Sequence, residues 1–158
     1  MNNLKFLGLC LLCFTVCIRV SAQNKASFNS FDNTNKPRLF SQFPDRISIN
    51  SQDLDALFNS ATESTDLSFQ SSDKKSFTFS GKLVPTASKY DSKIRTLIIR
   101  SSNFSGATLT LSSSIQPDGT VEYSGRIISF QHGDLLVLQK EKNDYFLIKK
   151  NFRDLVNE

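Results

Sequence analysis

The residues of this chain that could do acid–base chemistry are few and scattered. His132 is the sole histidine, and Asp134 stands two positions on. A turn holding both would give a general base oriented by a carboxylate. No nucleophile signature accompanies the pair, and no GxSxG occurs. The simpler reading of Gln131-His132-Gly133-Asp134 is a tight turn with its imidazole toward solvent. Glycoside hydrolysis needs two acids held in opposed roles. Glu63, Asp66, Asp118, Glu122 and Asp134 are available, and no spacing singles out two of them. Asp53 and Asp55 could contribute to a calcium site, but they also suit the positive end of a helix. No enzyme, cofactor or metal site is therefore expected.

The cations point elsewhere. Lys140, Lys142, Lys149, Lys150 and Arg153 gather late, and Lys93, Arg95 and Arg100 share one segment. Basic strands with aromatic neighbours can grip an anionic polymer. Here Glu141, Asp144, Asp154 and Glu158 lie among them, so the expectation is a mixed solvated face that also discourages edge pairing. Asn103-Phe104-Ser105 is an N-glycosylation triplet, relevant only in a eukaryotic secretory route.

The elements that must position these groups read mostly as strands. Arg46 to Asn50 is a short alternating strand. Ser51 to Ser60 carries a plausible N-cap at Ser51, and its Leu54, Leu57 and Phe58 fall at helical spacing. Strands follow around Leu67 and Phe69, from Phe77 to Leu83, from Lys93 to Arg100 and from Ala107 to Ser113. Others run from Thr120 to Phe130, over Leu135 to Gln139 and from Tyr145 to Lys149. Gln116-Pro117-Asp118-Gly119 is a hairpin turn, and Gly125 marks a bulge or bend. Phe77, Phe79, Phe130 and Phe146 are the expected aromatic core. Asn151 to Glu158 is a closing turn or a tail. The fold class is mainly β: one antiparallel meander of about seven strands with one short helix, forming a curved sheet, an open barrel or a sandwich.

Residues 1–22 have the three parts of a secretion signal. Lys5 supplies the positive start, Phe6 to Ile18 the apolar run, and Val20-Ser21-Ala22 the small-residue exit. The run is too short to span a bilayer comfortably. Cys10, Cys13 and Cys17 all lie inside it, so the exported domain is expected to be free of cysteine. Lys5 and Arg19 leave with the signal, so 19 basic against 15 acidic residues becomes 17 against 15. That balance implies no nucleic-acid partner. The expected location is periplasmic or extracellular, with membrane contact only through the signal.

Residues 23–42 read as a flexible polar leader and 43–158 as a single domain. Phe28, Phe31 and Phe40 stand out in the leader as rings that could dock on a partner, or on the domain itself. From Gly81 to Glu158 the order of features resembles the prodomains of secreted metalloproteases. The resemblance is carried by Phe79 to Val84, Ala107 to Ser113, Tyr123-Ser124-Gly125, Ile127 and Gly133-Asp134. No HExxH motif is present. The resemblance implies a stand-alone, non-enzymatic module that binds another exported protein, such as a protease, as an inhibitor or folding aid. The phenylalanine-rich strands leave a second expectation open, a small barrel that carries an apolar ligand.

Overall fold

The computed structural model describes residues 37–73, 76–85, 89–90 and 93–152. The proposed signal, Phe28, Phe31 and the final residues 153–158 lie outside them. Among the described residues, nine strands and one helix follow in chain order: β1 (Arg46–Ile49), α1 (Ser51–Ser60), β2 (Asp66–Gln70), β3 (Thr78–Leu83), β4 (Lys89–Tyr90), β5 (Ile94–Ser101), β6 (Thr108–Ile115), β7 (Val121–Ser129), β8 (Asp134–Glu141) and β9 (Asp144–Lys150). All pair antiparallel in one curled sheet, in the order β1-β9-β8-β7-β6-β5-β3-β2, with β4 beside β5. The mainly-β expectation is correct. The curled half-barrel selects among the forms the pattern left open.

The meander runs from β5 to β9, where tight turns join successive strands. At the Pro117 turn, the Asp118 carboxylate accepts the Thr120 N–H at 2.9 Å, and Gly119 takes a φ of +84°. The first strand departs from this rule by pairing with the last. β1 lies against β9, so the chain must cross to the other end of the sheet to begin β2, and α1 makes that crossing.

Alternation places the core on the concave face. Leu97, Leu111, Gly125, Leu138, Leu147 and Ile47 form one cross-strand row from β5 to β1. Gly125 is not a bulge, because register continues unbroken through it. A Cβ at that position would stand 2.5 Å from the Thr110 carbonyl oxygen, so the residue permits close approach of β6. Leu54, Leu57 and Phe58 of α1 close over these rows. The helix begins one residue earlier than the serine cap implied. Asn50 is the cap, with its side chain accepting the Gln52 N–H at 3.0 Å.

One end of the curl is sealed by phenylalanines. Phe40, Phe43, Phe69, Phe77, Phe79 and Phe104 pack ring to ring at centroid distances of 5.1–6.4 Å. Phe130 and Phe146 are not part of this core. Phe130 follows the last residue of β7 and is 57% exposed. Tyr145 and Leu147 take the inward positions of β9, which turns Phe146 outward, beneath the Arg46 guanidinium.

Candidate functional site

His132 and Asp134 occupy one turn, but they do not act as a pair. The imidazole Nδ1 lies 3.0 Å from the Ser129 hydroxyl. The Asp134 carboxylate instead accepts the Leu39 N–H at 2.7 Å. Arg38 donates to the Gly133 carbonyl in the same turn. Ser129 is fully buried, so its hydroxyl is closed to a substrate. The cluster works as a clasp that fastens residues 38–40 to the β7–β8 turn.

That clasp decides the place of Phe40. Its ring is 1% exposed and sits 5.1 Å from Phe104, inside the domain rather than offered to a partner. Packing therefore begins upstream of the expected boundary at residue 43. The remaining ring candidates, Phe28 and Phe31, lie outside the described residues.

The other groups have local duties. Asp118 holds its own turn, and the Thr120 bonds keep its carboxyl below the usual range. Glu122 pairs with Lys140 at 3.5 Å, and Asp45 with Lys149 at 3.3 Å. Arg95 donates to the Phe58 carbonyl at 2.6 Å, which satisfies one of the last free carbonyls of α1. Asn103 completes the sheet where β5 diverges from β3. Its amide donates to the Thr78 carbonyl at 2.8 Å and accepts the Ser80 N–H at 3.1 Å. Its side chain thus does the work of a missing strand. Among the described residues, no three His, Cys, Asp or Glu side chains gather as a metal set. An apolar void inside the curl, lined by Leu54, Phe69, Leu109, Leu111, Leu138 and Leu147, measures about 10 Å³. That is roughly the room of a single water.

The feature that remains is the seam where the two ends of the sheet meet. The Ser72 N–H donates to the Ser48 carbonyl at 2.8 Å, just past the end of β2. Their hydroxyls lie 3.2 Å apart. On β2, Thr65 and Ser71 bond toward β3, so Asp66, Ser68 and Gln70 direct their main-chain groups to the opposite edge. The Ser64 hydroxyl caps Asp66 there, donating to its carbonyl at 3.1 Å and accepting its N–H at 3.2 Å. Ser68 and Gln70 have no such cap among the described residues. Beside them runs a groove of about 290 Å³, walled by Asp53, Ala56 and Ser60 of α1. Edge polarity of this kind was invisible in the sequence, because it depends on which strand pairs with which. An alternating Asp66-Leu67-Ser68-Phe69-Gln70 segment reads the same at an edge or in the middle of a sheet.

Comparison of the chain with known protein families, curated protein sequences and solved structures returns no match.

Proposed function

We propose that this protein is an exported, non-enzymatic binding module that recognises another exported protein through the free edge of its sheet. The observation that carries the reading is the open part of the seam. Unpaired strand edges invite a further chain, and natural folds usually block them. Among the described residues, this one is capped at Asp66 and joined at Ser72, with no partner on the edge-facing groups of Ser68 and Gln70 between those two points. A peptide strand added at an edge gains main-chain hydrogen bonds as its source of affinity.

Among the described residues, the void inside the curl measures about 10 Å³, against about 300–1,000 Å³ for ligand pockets, which supports this reading over carriage of an apolar ligand within the curl. The resemblance to metalloprotease prodomains makes a secreted protease the partner to look for first.

Native mass spectrometry on the protein recovered from its own envelope and medium tests the reading. A stoichiometric protein adduct is the expected result. A small apolar adduct with no protein partner would overturn it in favour of the carrier.

A further inference from the structure

We infer that the gap between α1 and the edge of β2 takes an extended, basic segment of the partner, which fills two vacant rungs opposite Gln70 and Ser68. This rests on the binding-module reading and names its site. β1 and β2 are the two ends of the sheet order. Seven successive antiparallel steps separate them, so they run in opposite directions. The Ser72–Ser48 bond is one antiparallel rung between them. Continued by the same register, the line of β1 would set position 50 opposite Gln70 and position 52 opposite Ser68. The chain leaves that line at Asn50, which turns to cap α1. The helix then runs alongside as the far wall of the groove. Among the described residues, nothing bonds these two rungs of main-chain donors and acceptors, which face a space that β1 itself would have filled had it continued.

The charge of the occupant follows from the walls. Asp53 stands on the helix side, and Asp66 lies at the far end of the same edge. Neither belongs to any of the ion pairs among the described residues. An extended segment spanning the vacant rungs covers about 7 Å, so one Lys or Arg at each flank can reach these carboxylates. The Ser64 cap on Asp66 sets the limit of the site at that end.

The test uses the isotope-labelled protein as recovered after export, with an acetylated hexapeptide alternating Val and Lys as the probe. The Ser68 and Gln70 amides are expected to slow their hydrogen exchange by about tenfold or more in its presence. A Val–Glu counterpart leaves them unchanged. Ser68→Pro removes only an edge-facing N–H and abolishes the response. Should that variant fold poorly, the Asp53→Lys, Asp66→Lys protein weakens the basic peptide several-fold through charge alone. Unchanged exchange at saturating peptide, or an equal response to the acidic peptide, would overturn the inference. Retention of the natural partner by a folded Ser68→Pro protein would overturn the site while leaving the binding-module reading intact. Absence of any partner for the unaltered protein would remove both.

Discussion

The Ser72 N–H reaches the Ser48 carbonyl at 2.8 Å, and through that bond the first strand of the sheet order touches the last. The closure is slight compared with the long ladders elsewhere. Ser72→Pro deletes it together with the bond between the Ser48 and Ser72 hydroxyls, and leaves the β2–β3 pairing whole. The expected loss is about 1–2 kcal/mol, the net worth of two hydrogen bonds. Chemical denaturation measures it, and a loss of several kcal/mol would mean that the seam organises the whole curl.

Phe40→Ala distinguishes a core ring from a docking ring. The buried ring touches Phe43, Phe77 and Phe104. Its truncation is expected to cost about 3–5 kcal/mol in a denaturant titration. A ring held out for a partner would show almost no change.

Asn103→Ala removes two hydrogen bonds from the inner edge of β3. The expected cost is about 1–3 kcal/mol. A denaturant titration measures it, and an unchanged midpoint would mean that the side chain does not hold β3 in place.

Gly125→Ala would drive a methyl against the Thr110 carbonyl oxygen and the Leu111 side chain. Overpacking of this kind costs about 1–3 kcal/mol. The loss should appear as a lowered thermal midpoint. A gain in stability would show that the β6–β7 spacing yields easily.

Tyr123 carries the clearest pH signature. Burial, and then the hydrogen bond it donates to the Asp55 carboxylate, push its hydroxyl above the usual tyrosine range. The folded state therefore prefers the protonated ring. This contribution to stability is complete below the ordinary value of about 10 and is lost as pH rises toward the higher folded value. The near-ultraviolet absorbance titration of the protein minus that of Tyr123→Phe isolates this group. Its midpoint should lie above the ordinary value, and a midpoint at or below it would contradict the buried Tyr123–Asp55 contact.

Local pattern carried much of this fold. Leu54, Leu57 and Phe58 face one side at helical spacing, and the buried helix follows from that. Leu97, Ile99, Leu109 and Leu111 alternate, and each lies on the concave face. Asp118 and Gly119 form their turn through bonds within a few residues of themselves. Such features need no knowledge of distant chain. Phe130 and Phe146 show where the pattern fails. Aromatic content alone does not say which side of a strand wins burial, and on β9 the larger gain went to Tyr145 and Leu147. The cap of α1 shifted to Asn50 because a polar side chain on either residue could accept the first free N–H.

The candidate site lay almost wholly beyond the sequence. Ser68 and Gln70 are ordinary polar residues of an alternating strand, and Asn50 is an ordinary cap. They acquire meaning only when β1 pairs with β9, because that pairing sends β1 and β2 to opposite ends of one sheet and curls them back together. The sequence by itself determined the strand class, the helix over residues 51–60 and the hairpin turns, since these rest on periodicity and short-range hydrogen bonds. Tertiary structure alone decided which strands became edges, which phenylalanines were buried and which main-chain groups of β2 face away from β3 toward the seam, since each depends on contacts between residues far apart in the chain.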